Sequence, residues 1–143
     1  MSQIGNQAFM QRFVMFLNTA SLPLAEELIA PEAVFRAPVS GHEYTGPEGY
    51  VAILQRLRSG FPDAVWHLEE VVGEGNVLVA RFSVVGTHQG EFEGYAPSHR
   101  AVKVSAMNLY RLKNGRIVRE FAQFDHLSLL WQIGVYPPPS QAV

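Results

Sequence analysis

Phe9, Phe13, Phe16 and Leu17 recur at spacings of three and four, so they share one side of a helix, and the pattern predicts a helix over residues 7–19. Ser21-Leu22-Pro23 starts a second, short helix, because serine caps well and proline is tolerated in a first turn. It carries Leu24, Leu28 and Ile29 and ends near Ala30-Pro31. Residues 33–37 read as a short strand and residues 38–45 as a loop containing Gly41 and His42. Gly46-Pro47-Glu48 opens a third helix with an apolar stripe of Tyr50, Ile53, Leu54 and Leu57; Gly60 stops it and Phe61-Pro62-Asp63 breaks the chain.

From residue 65 the period changes from helical to alternating. Strands are predicted over residues 65–72, 77–87, 101–112 and 117–124, with turns at Gly73-Glu74-Gly75-Asn76 and Asn114-Gly115, and a final helical turn or two over 127–133. Helices followed by a run of strands joined by short turns indicate an α+β fold. No repeat or composition shift divides the chain, so residues 1–136 form one domain and Pro137-Pro138-Pro139 opens a flexible tail over 137–143.

Asn114-Gly115 is the strongest local signal, since both residues tolerate the positive φ of a type I′ hairpin turn. A regular two-residue turn pairs Leu112 with Ile117, Tyr110 with Arg119, Asn108 with Phe121, Ala106 with Gln123 and Val104 with Asp125. One face then carries Val104, Ala106, Asn108, Tyr110, Phe121, Gln123 and Asp125; the other carries Lys103, Ser105, Met107, Leu109, Val118, Glu120, Ala122 and Phe124. Both are largely apolar, so helices cover one and a second subunit or sheet curvature covers the other. A slip of one residue would reverse every assignment.

Composition narrows the function. With 11 Lys+Arg against 13 Asp+Glu the net charge is −2, which offers no footprint for nucleic acid. The absence of cysteine removes disulfides, thiol nucleophiles and thiolate metal sites. No apolar run approaches the roughly 20 residues of a membrane span, and no leader pattern opens the chain, so a cytoplasmic protein is expected. Gly-x-Gly-x-x-Gly, the P-loop and Gly-x-Ser-x-Gly are all missing, which leaves nucleotide cofactors and a serine nucleophile without support.

Among polar candidates Asp125 leads. On the predicted face it lies beside Asn108 and Gln123 among aromatic and small residues, where desolvation would raise a carboxyl pKa towards the range useful for acid/base catalysis. Asp125 also reads as an N-cap for the helix that follows, and the two roles are compatible. His42, His67, His88, His99 and His126 are scattered without metal-site spacing. His88 ends a strand where a pocket mouth or a solvated loop is expected. Glu69-Glu70 and Glu91/Glu93 read as solvated strand faces. Arg81, inside an apolar strand, calls for a carboxylate partner if buried.

Gly46-Pro47-Glu48-Gly49-Tyr50, Phe61-Pro62-Asp63, Val79-Ala80-Arg81-Phe82 with Gly86-Thr87-His88-Gln89-Gly90-Glu91-Phe92, the segment 110–118 and the segment 121–134 together resemble the SnoaL-like polyketide cyclases. The resemblance implies a cone-shaped, curved mixed sheet wrapped by three N-terminal helices, the cystatin-like architecture of nuclear transport factor two. It also implies a deep apolar pocket, a homodimer through the sheet, and an aspartate near the end of the last strand that serves an intramolecular aldol closure without metal or cofactor. Asp125 matches that position. Where the family commonly shows Glu-His-Trp, this chain has Arg119-Glu120-Phe121, which keeps an aromatic wall at Phe121 and lacks the histidine.

The resulting expectation is a cofactor-independent enzyme acting on an apolar small molecule. Asp125 moves the proton, Asn108 and Gln123 orient the substrate, and Phe121, His88, Arg81 and Tyr110 complete the pocket. The alternatives are a non-catalytic ligand-binding protein, or an isomerase or hydrolase using the same carboxylate. No nucleic acid, membrane or metal partner is expected.

Overall fold

A computed structural model describes residues 3–36 and 41–137. The elements are α1 (Gln3–Thr19), α2 (Leu22–Leu28), β1 (Ile29–Arg36), β2 (Glu43–Thr45), α3 (Gly46–Gly60), β3 (Val65–Glu74), β4 (Val77–Thr87), β5 (Ala101–Lys113), β6 (Arg116–Phe124) and α4 (His126–Gln132). The α+β expectation holds, with helices on a curved, unclosed six-stranded sheet of order β2-β1-β6-β5-β4-β3. β1 runs parallel to β6; every other neighbouring pair is antiparallel.

Two elements differ from the periodicity reading. The second helix stops at Leu28, and its C-cap Ile29 is already extended. Ala30 precedes Pro31, and a residue before proline is pushed out of the helical region. β1 therefore starts at Ile29, earlier than expected. Within the expected loop, Glu43–Thr45 forms a short strand on the edge of β1, with Phe35 opposite Tyr44. Residue 37 of the expected strand, residues 38–40 of the loop and residues 138–143 of the expected tail lie outside the described residues.

The inner sheet face and the helices share an aromatic core. Phe13 and Phe16 from α1 and Phe35 from β1 surround the Tyr50 ring at centroid distances of 5.6, 5.5 and 4.8 Å, and Phe13 also meets Tyr110 at 5.2 Å. The T-shaped contacts put ring edges against ring faces, which the aromatic quadrupole favours. All five rings are buried, so both tyrosines are fixed in place before any polar contact is counted.

The last hairpin departs from a regular ladder in one place. Lys113 pairs with Arg116 and Leu112 with Ile117, as the turn predicts, but the next pair is Arg111 with Arg119. Val118 is the extra residue of a β-bulge, and such a residue reverses the alternation of the strand beyond it. Tyr110 then faces Glu120, Asn108 faces Ala122 and Ala106 faces Phe124. The inward face keeps Val104, Ala106, Asn108 and Tyr110 as expected and gains Glu120, Ala122 and Phe124. Phe121, Gln123 and Asp125 turn to the outer face, where all three are exposed.

Candidate active site

The sheet curvature, α3, α4 and the β4–β5 connection enclose a cavity of about 840 Å³. Its walls are mainly apolar, among them Ile53, Leu54, Leu57, Trp66, Val104 and Leu130. The small side chains of Ala106 and Ala122 leave room beside Asn108 and Glu120, both of which line it.

Glu120 is the carboxyl that reaches the buried aromatic core from the cavity wall. The Tyr50 hydroxyl donates to its Oε2 at 2.8 Å. Tyr110 lies opposite Glu120 across the β5–β6 ladder, and Asn108 Nδ2 donates to the Tyr110 hydroxyl at 3.0 Å. Burial raises the Glu120 pKa from 4.5 to about 7, against the smaller opposing effect of the two tyrosine hydroxyls, which favour the charged form. The same burial, with the Glu120 carboxylate nearby, pushes both tyrosines well above their ordinary value, so they remain donors. A carboxyl that exchanges its proton near neutrality, touching both the cavity and a fixed donor, has the properties of a general acid/base.

The cavity mouth is built by the β4–β5 connection. Gln89 and Gly90 both donate their backbone N–H to the Gly60 carbonyl at 3.0 Å. A Cβ on Gly90 would collide with the Ser59 carbonyl, so only glycine lets this segment lie against the end of α3. Further on, Phe92 and Tyr95 exchange backbone bonds around Glu93 (φ 51°) and Gly94 (φ 84°), the two central residues of a tight turn. Glu93 Oε2 reaches His126 Nε2 at 3.0 Å and ties the turn to the start of α4; both residues line the cavity.

The sequence-predicted site residues divide accordingly. Asn108 lines the cavity and Tyr110 lies directly behind it. Asp125 caps α4, accepting from the Ser128 N–H at 3.1 Å, and does not line the cavity. Gln123 and Phe121 follow it to the outer face; Arg119 stacks on the Phe121 ring at 5.3 Å. Arg81 is not buried: it is exposed on the outer face, 3.5 Å from Glu70. His88 is fully buried away from the mouth, stacked on Phe61, with Nδ1 accepting from the Ser98 N–H at 3.0 Å and Nε2 unpartnered among the described residues. Sequence reasoning missed Glu120, Tyr50, Glu93 and His126. The signal was the adjacent apolar pair Ile117-Val118, which interrupts the alternation where the bulge lies. Among the described residues no three His, Asp or Glu side chains gather into a metal-binding group.

The profile of the SnoaL-like polyketide cyclases matches residues 7–133. The chain belongs to this family. In structure the SnoaL-like chain is similar to TsrD from Streptomyces laurentii, with 24% identity and a TM-score of 0.84 over 95% of this chain and 99% of that one. It is similar also to IdmH, a candidate polyketide cyclase from Streptomyces antibioticus, with 28% identity and a TM-score of 0.79 over 90% and 98%. AclR, a candidate hydroxylase from Streptomyces galilaeus, aligns at 23% identity and a TM-score of 0.81 over 97% and 87%, a likeness of fold. No curated protein matches the chain. Among the described residues no helix is long and apolar enough to cross a membrane.

Glu120 makes stability depend on pH in an unusual direction. Between pH 4.5 and about 7 the folded carboxyl keeps a proton that the unfolded chain has lost, so stability falls as pH rises through that window. Denaturant unfolding of wild type and Glu120→Gln should show the variant gaining about 2–3 kcal/mol on wild type between pH 5 and pH 8. A difference that does not change with pH contradicts the assignment.

Proposed function

We propose that this SnoaL-like protein catalyses proton transfer at a carbon next to a carbonyl in an apolar, polyketide-type substrate, with Glu120 as the acid/base. The observation that carries the reading is the Tyr50–Glu120 hydrogen bond at the wall of the cavity. In an aldol-type closure the Glu120 carboxylate takes the carbon-bound proton, the enolate carbon attacks a second carbonyl of the same molecule, and the new alkoxide recovers the proton. The sequence is redox-neutral and returns Glu120 to its starting state, so it needs no cofactor. Asn108 lines the same wall and orients the substrate, while the Tyr50 hydroxyl holds the carboxyl. The sequence pattern points to Asp125 for this role; its exposure and its cap bond favour Glu120 instead.

We also propose that the protein forms a homodimer through the outer sheet face. Val72, Val79, Leu109 and Phe121 lie in one row across β3, β4, β5 and β6. Val72 and Phe121 are 54% and 50% exposed, an apolar row that a second copy would cover.

Proton abstraction is measurable without the natural substrate, as deuterium exchange at the activated carbon of 2-tetralone followed by NMR. Wild type should accelerate exchange above buffer, with a rate rising through pH about 7 as Glu120 ionises. Glu120→Gln should lose about 100-fold or more, the scale of one positioned acid/base, and Asp125→Asn should stay within threefold. Exchange that survives Glu120→Gln and disappears in Asp125→Asn returns the role to Asp125. For the dimer, light scattering should give twice the chain mass for wild type and the single-chain mass for Phe121→Glu; a monomeric wild type contradicts the interface.

A further inference from the structure

The cavity edge carries a cation that forms no ion pair among the described residues. Arg56, exposed on α3 one turn before its end, lines the cavity, and its side-chain hydrogen bond among the described residues is to the Tyr44 hydroxyl at 3.3 Å. Four other arginines are committed. Arg12 pairs with Glu27 at 2.6 Å, Arg36 with Glu43 at 3.1 Å and Arg81 with Glu70 at 3.5 Å. Arg58 donates to two backbone carbonyls and covers Trp66. Among the described residues Arg56 has a neutral partner only, which leaves the planar face of donors that binds carboxylates in pairs.

Tyr44 adds to the same arrangement. Its oxygen accepts from Arg56, so its own O–H remains to be donated, and it too lines the cavity. It is held there by close packing: a Cβ on Gly49 would lie 3.1 Å from the Tyr44 Cβ, so β2 sits tightly on the first turn of α3. The His42 ring packs against Tyr44 at 5.0 Å. The carboxylates that line the cavity near its mouth are Glu91 and Glu93; Glu93 is tied to His126, and Glu91 belongs to the segment packed against Gly60, beyond the end of α3 from Arg56, while Glu43, next to Tyr44 in β2, is held by Arg36, which also lines the cavity. An anion approaching from the Tyr44 side meets two donors.

We propose that the cavity takes an apolar substrate that bears an anionic group, a carboxylate by class, held at the mouth by Arg56 and Tyr44 while the apolar body lies in the cavity towards Glu120. This rests on the cavity being the substrate pocket, and the test separates the two ideas with a matched pair of fluorescent probes. 1-Anilinonaphthalene-8-sulfonate carries the anion; N-phenyl-1-naphthylamine has the same rings without it. Both should bind wild type. Arg56→Gln should weaken the sulfonate about tenfold, the scale of one charge-assisted contact, and leave the neutral amine within twofold; Tyr44→Phe should weaken the sulfonate a few-fold with the same selectivity. Equal effects on both probes, or none on the sulfonate, overturn the anion site while the pocket stands. Failure of the neutral amine to bind wild type overturns the pocket and the anion site together, whereas the exchange assay on Glu120 does not depend on Arg56.

Discussion

The structure depends on keeping one carboxyl in an apolar cavity. Such a group is costly when ionised and unpartnered, and the fold meets that cost with donors rather than with a cation. Tyr50 supplies the 2.8 Å bond and Tyr110 stands opposite Glu120 in the ladder; Phe13, Phe16 and Phe35 pack around the Tyr50 ring and Phe13 also against Tyr110, which holds both rings in place. A cation in the same place would hold Glu120 ionised. Neutral donors leave its charge conditional, and a conditional charge is what proton transfer requires.

Val118 decides which side of β6 the cavity sees. Without its extra residue the strand would present Arg119, Phe121, Gln123 and Asp125 inward, and Glu120 would lie in solvent. With it, Glu120, Ala122 and Phe124 enter the cavity and Asp125 is free to cap α4. The pattern gives Asp125 both a cap and an interior position; in the structure the cap is with Asp125 and the carboxyl at the cavity wall is Glu120. The connection that closes the mouth is subject to a comparable constraint at Gly90, where the backbone of α3 leaves no space for a side chain.

Most of the architecture is legible from pattern alone. β4 lies over the residues that alternation predicts, Val77–Thr87, and α3 fills the span between its Pro-bearing first turn and Gly60. These signals are local, and tertiary contacts reinforce them. The residues that resemble the SnoaL-like cyclases point to the family that the profile match shows. The site was less legible for the same reason in reverse: an inserted residue changes nothing in composition and little in propensity, yet it inverts every side chain beyond it. The helical spacing puts Tyr50 in an apolar stripe, which is where its ring lies; that its hydroxyl meets Glu120, 70 residues away, follows only from the packing of α3 against β1, the neighbour of β6.

The most direct test is the titration of Glu120 itself. With ¹³C-labelled glutamate and Glu120→Gln to assign the resonance, the side-chain carboxyl of Glu120 should shift with a midpoint near pH 7, well separated from the surface glutamates. A midpoint near 4.5 would show a solvated, ordinary carboxylate and would contradict the account of the cavity as an acid/base site.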